Sequence, residues 1–175
     1  MLRKRILPLL KGGDRRTLAR ADLVAAMVAH EPDLFPQLIE GLWSPDPLVR
    51  MRAADAVEKI TRKKREFLQA YKKELLGLMT ETEQQEMRWH LAVMVPRLAL
   101  TAKERQVAIS SLESYLEDRS SIVKTFALQG LADLAQEDPS IRPGVIEILR
   151  QATRSGTPAM KARSRKLLLQ LDALG

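Results

Sequence analysis

Apolar residues recur along the chain at helical spacing, in segments that repeat. In Leu48–Ile60 the apolar positions Val49, Ala53, Ala56, Val57 and Ile60 fall on one face of a 3.6-residue helix. Comparable segments follow at Met87–Leu98, Val123–Leu134 and Met160–Leu171, with a weaker one at Arg16–Met27. Aligned, one column reads Val24, Val57, Val95, Leu131, Leu168, and the column one turn later reads Met27, Ile60, Leu98, Leu134, Leu171. The steps of the first column are 33, 38, 36 and 37 residues. Near-constant apolar columns at such a period are the signature of stacked helical repeats.

Each of these helices is preceded by a shorter apolar one. Phe35–Leu42 leads into Ser44-Pro-Asp-Pro47, where proline and aspartate mark a turn. Tyr71–Met79 leads into Thr80-Glu-Thr-Glu83, read as a capping threonine before an acidic first turn. Gln106–Leu116 precedes Glu117–Ser121, and Pro143–Ala152 precedes Ser155-Gly-Thr-Pro158, with proline at a helix start. Breaks near residues 30–33, 62–65, 99–103 and 136–139 complete the division. The pattern predicts ten helices in five pairs, with units 1–31, 32–64, 65–100, 101–138 and 139–175, in a single domain.

A period near 37 residues with a helix pair per unit suits tetratricopeptide or HEAT-like repeats. The Trp, Gly and Tyr positions of the tetratricopeptide pattern are missing. The second unit instead resembles a HEAT repeat: Pro36 in the first helix, Asp46 in the turn, Val49-Arg50 opening the second helix, then Ala53-Ala54, Val57 and Ile60. Other units keep Met87-Arg88, Asp118 with Val123-Lys124, and Met160-Lys161, while Thr17 stands at the basic position of the first. The short steps resemble the compact repeats of phycobilisome-lyase-type HEAT proteins. The resemblance implies an all-α fold, an α-α superhelix (right-handed solenoid) of about five HEAT-like helix pairs. It does not by itself fix a function.

Composition narrows the chemistry. The 175 residues contain no cysteine, which removes disulfides and thiolate chemistry. The basic start is followed by too short an apolar run for a signal peptide, and nothing approaches a membrane span, so a cytoplasmic location is expected. No nucleophile elbow, phosphate loop or dinucleotide fingerprint appears, and His30 and His90 stand apart without a metal-binding pattern. The expectation is a non-enzyme with no cofactor, metal or catalytic residue.

The net charge of +7 is uneven: both ends and residues 61–78 are basic, while 21–60 and 79–140 are acidic. Arg50, Arg88, Lys124 and Lys161 recur where the second helix opens and are read as a structural ladder to the turn aspartates. In HEAT-like solenoids the second helices line the concave face. The same register places Arg52, Lys59, Arg62, His90, Arg97, Phe126, Gln129, Arg163 and Lys166 there as candidate partner-binding residues, with Asp55, Asp133 and Gln170 among their neighbours. Trp43 and Trp89 fall beside apolar columns and are expected to be buried. Leu169, which matches Glu58 and Ala132 of other units, lies beyond the apolar stripe of the last helix, where a terminal repeat needs a polar face, and suggests weak homodimerisation through that end.

These features point to a protein-binding scaffold or adaptor whose partner carries acidic segments, with no membrane contact. Nucleic-acid binding is the alternative, because alkylation-repair DNA glycosylases are similar HEAT-like proteins with a basic concave face. Neither tryptophan, however, is followed by an aspartate one turn later, since Pro47 and Val93 occupy those positions. Alternating acidic and basic stretches also disfavour a duplex-binding stripe.

Overall fold

The computed structural model describes residues 5–13 and 19–174. Every regular element in them is helical. Nine α-helices are described: α1 (Ala19–His30), α2 (Phe35–Glu40), α3 (Pro47–Thr61), α4 (Lys72–Glu81), α5 (Gln85–Met94), α6 (Ala102–Tyr115), α7 (Ser121–Glu137), α8 (Arg142–Ser155) and α9 (Pro158–Asp172). Short 3₁₀ turns at Leu7–Leu10, Pro32–Leu34, Gly41–Trp43, Arg65–Tyr71 and Val95–Arg97 complete the set. The residues group into two compact units, one ending at Ala70 and the other beginning at Tyr71.

In the first unit α3 packs against α1 and α2. Asp46 caps it, accepting the Leu48 N–H at 2.9 Å, and Pro47 begins it where a missing N–H costs nothing. Val24, Val28, Leu38, Leu42, Val49 and Val57 are all buried there, and Phe35 meets Phe67 edge-on with ring centroids 5.1 Å apart. Among the described residues the expected first helix of the first pair is the Leu7–Leu10 turn, which ends where Gly12 and Gly13 adopt φ of 74° and 78°. Those dihedrals favour glycine and stop a right-handed helix. Part of the expected Arg16–Met27 segment, residues 16–18, lies outside the described residues.

In the second unit α4/α5, α6/α7 and α8/α9 form three consecutive pairs. The second helices lie side by side, α5 on α7 and α7 on α9, while α4 packs on α6. Thr101 and Glu104 make a reciprocal capping box on α6, and Ser120 and Thr157 cap α7 and α9. The expected threonine cap on α5 is not formed. Helix α4 continues through Thr80, whose hydroxyl donates back to the Gly77 carbonyl, and Gln84 precedes α5 without a side-chain cap. Helix α5 also stops before the expected Leu98, because Pro96 has no N–H to continue the ladder and the chain tightens into a 3₁₀ turn.

The first core column is buried at Val24, Val57, Val95 and Leu131, but Leu168 is only half-buried and Leu167 takes the covered place. Helix α9 packs on α7 and α8, which leaves that side of the helix partly uncovered. At the other end Met27 is half-buried and Val28 fills the core instead.

Candidate functional site

Counted from the residue that precedes each second helix, the candidate side chains other than Arg62 fall at three positions one turn apart. Arg52, His90, Phe126 and Arg163 occupy the first. Gln129 and Lys166 occupy the second, and Lys59, Arg97 and Asp133 the third. The two units treat these positions differently.

In the first unit the cations are consumed internally. Arg52 is fully buried rather than facing a groove, and its Nη1 donates to the carbonyls of Leu10 and Gly12 at 2.8 and 2.5 Å. Lys59 sits between Asp22 of α1 and Asp55 of its own helix, 2.5 Å from each. Burial works against its charge, yet hydrogen bonds to both carboxylates hold its pKa above the ordinary lysine value. Arg62 is exposed but pairs with Glu58 at 2.6 Å, and that hydrogen bond raises its pKa.

In the second unit His90 is buried, with Nδ1–H donating to the Glu86 carbonyl at 2.6 Å and the ring 5.6 Å from that of Trp89. It is a packed histidine, not an open-face one. Phe126, Gln129 and Arg163, by contrast, come together between α7 and α9, all half-buried. The Arg163 guanidinium lies 5.8 Å from the centre of the Phe126 ring, and its Nη1 donates to Gln129 Oε1 at 2.6 Å. Gln129 in turn donates to Asp133 Oδ1 at 2.8 Å. Burial raises the Asp133 pKa above the usual carboxylate value, against the opposing pull of Gln129 and of the Arg97 and Arg163 charges. Lys166, one turn beyond Arg163, is exposed.

In the ladder expected at the start of the second helices, Arg88 and Lys124 both act on the turn aspartate Asp118. Arg88 bridges to Asp118 of the next pair at 2.6 Å and stands over the Tyr115 ring. Arg50 donates to the Ser44 and Pro45 carbonyls of its own turn, and the Lys124 charge acts on Asp118 of its own turn. Further ties come from the first helices, Lys72 to Glu104 and Arg105 to Asp138. Tyr115 also donates to the Met79 carbonyl at 2.6 Å.

Trp43 departs from its expected burial. It is 47% exposed and forms a wall of an open groove of about 830 Å³ with Leu7, Pro8, Pro45 and Val49. Trp89 is half-buried. Among the described residues no group of three or more His, Asp or Glu side chains is placed to hold a metal ion, and no helix is long and apolar enough to cross a membrane.

Residues 34–63, which carry α2 and α3, match the family model of the HEAT repeat. This segment resembles a HEAT repeat. The fold of the chain is similar to that of an engineered protein solved crystallographically by the Northeast Structural Genomics Consortium, with a TM-score of 0.63 and 19% identity over 97% of this chain and 79% of that one. No curated protein matches the chain. The HEAT repeat and this likeness establish an all-α helical-repeat architecture, in which the three pairs of the second unit follow the order of the HEAT pair at 34–63.

Proposed function

We propose that this HEAT-repeat chain is a non-catalytic protein-binding scaffold, and that the second-helix face of residues 71–174 is its binding surface. HEAT repeats in general mediate protein interactions, which supports the coarse reading. The observation that carries the finer one is the contrast between the two units. Arg52 and Lys59 are held by internal acceptors, whereas Arg163, with one N–H on Gln129, lies against Phe126 on a half-open face beside the exposed Lys166. Aromatic and arginine side chains are the usual anchors of protein interfaces. An excess of cations there favours a partner with acidic segments.

The test is affinity capture with wild type, R163E/K166E and R150E/R154E, the last pair altering exposed positions on α8. A partner retained by the α8 variant and lost by the α9 variant supports the face. Equal loss from both sinks it. The same three proteins, titrated with single- and double-stranded DNA and RNA across a salt series, decide the alternative: tight binding with a steep salt slope would replace the protein-scaffold reading.

A second surface supports weak self-association. Leu169 is 72% exposed on the outer side of α9 and Leu174 is 53% exposed just beyond it. Sedimentation that finds only monomer at high concentration would remove this reading, and a L169K variant separates it from aggregation elsewhere.

A further inference from the structure

We infer that Arg163, fixed over Phe126 by Gln129, is a preformed receptor for a single carboxylate side chain of an acidic protein segment, with Asp133 as the internal anion against which that carboxylate competes. This rests on the scaffold reading and assigns its anchor.

A guanidinium on a helix surface normally samples many rotamers, and ordering it on binding costs affinity. Arg163 is already ordered. One N–H is held by Gln129 Oε1 at 2.6 Å and the cation lies against the Phe126 ring. A guanidinium has five N–H donors in a planar fork, so one bond to Gln129 leaves a fork to present. Gln129 is itself held in orientation by the Asp133 carboxylate, so the amide oxygen is aimed at Arg163 and the amide nitrogen away from it.

Two cations act on Asp133, Arg97 from the 95–97 turn and Arg163 from α9. Lys166 adds an exposed cation a turn away that steers approach without fixing geometry. An extended polyanion such as a nucleic acid needs cations spaced along several phosphates, whereas Arg163 and Lys166 stand one turn apart on a single helix. A short acidic peptide segment fits this arrangement better.

Asp133 makes the idea separable from a purely structural role. Its charge stabilises Arg163 in the free protein and repels the partner carboxylate. Asp133→Asn keeps an oxygen to accept the Gln129 N–H and removes the charge.

The experiment uses the full chain and a fluorescein-labelled peptide of eight glutamates, titrated by anisotropy at pH 7 and low ionic strength. R163Q is expected to weaken binding about tenfold. D133N is expected to tighten it about fivefold, and R154Q on α8 to leave it unchanged, with all variants matching wild type by circular dichroism. Binding that ignores both R163Q and D133N would overturn the receptor while leaving an acidic partner in place. D133N that weakens binding would overturn the competing-anion assignment. A wild-type chain that does not bind the peptide at all would remove the acidic-partner reading itself.

Discussion

A β-carbon placed on Gly130 would lie 2.2 Å from the carbonyl oxygen of Ala92, so α7 approaches the backbone of α5 at a distance that only glycine permits. Leu112 of α6 closes the same space, with its Cδ2 3.0 Å from that position. In an exposed helix Gly→Ala gains about 1 kcal/mol of propensity. Here the obstacle is main chain and cannot retreat. Gly130→Ala is expected to lose about 1–3 kcal/mol in urea unfolding, and Gly130→Val more. A stabilised G130A would show that the two helices are not held this close in solution.

Gly130 also marks where the sequence stops being informative. Burial of Val57, Val95 and Leu131 follows from spacing alone, since a residue on the apolar stripe of a packed helix has nowhere else to point. A glycine in the same helix carries no such signal, because its role depends on which backbone passes it. Trp43 misled for a different reason. Helix α2 tightens into the 3₁₀ turn Gly41–Trp43, the angle between successive side chains widens, and the indole turns outward instead of following the helical stripe. The candidate face was legible as a set of register positions, including Gln129 and Arg163. Which cations would find internal acceptors was not, because Arg52 donates to carbonyls about 40 residues away and Lys59 to Asp22 on another helix. Asp133 was visible as a face residue, but its link to Arg163 through Gln129 exists only once α7 and α9 are packed.

Arg52 yields the clearest separation of structure from binding. Its guanidinium is buried and supplies donors to two carbonyls of the Leu10–Gly12 segment. Removing it leaves those carbonyls without that donor and the segment without its tie. Arg52→Met is expected to cost about 3 kcal/mol and to accelerate amide exchange in residues 6–11. Arg62→Gln, which removes an exposed cation from the buried Glu58 on the same helix, is expected to cost less, about 1 kcal/mol. Similar losses in the two variants would contradict the burial of Arg52.

Stability is expected to be level near neutral pH and to fall in acid. Burial opposes the Asp118 charge, but the Ser120 N–H at 2.8 Å and Arg88 at 2.6 Å outweigh it and hold the pKa below the ordinary value. Glu104, bonded to Lys72 and Thr101, and Asp138, bonded to Ser140 and Arg105, are lowered in the same direction. A carboxylate with a depressed folded pKa stabilises fully above its unfolded pKa, about 4, and loses that contribution as pH falls through the folded value. The midpoint of thermal unfolding is therefore expected to change little from pH 7 to 5 and to drop below about 4. Asp118→Asn should start lower at neutral pH and show a shallower acid limb. Parallel curves for the two proteins would mean that Asp118 is not ion-paired with Arg88.

Ser164 sits where the other second helices place Ala53, Leu91 and Ala127, and all four are fully buried. Its hydroxyl has no hydrogen-bond partner among the described residues. A buried hydroxyl without a partner carries the cost of its lost hydration and returns nothing. Alanine removes the oxygen while leaving a side chain already accepted at two of the equivalent positions. Ser164→Ala is accordingly expected to raise stability by about 1 kcal/mol in urea unfolding, with an unchanged m-value. Ser164→Leu, despite the leucine at position 91, is expected to lose stability, because Ser164 is already fully buried and the added volume meets a closed core. A destabilised S164A would show that the hydroxyl is satisfied in solution, and the end of the stack would then owe part of its order to a polar contact rather than to apolar packing alone.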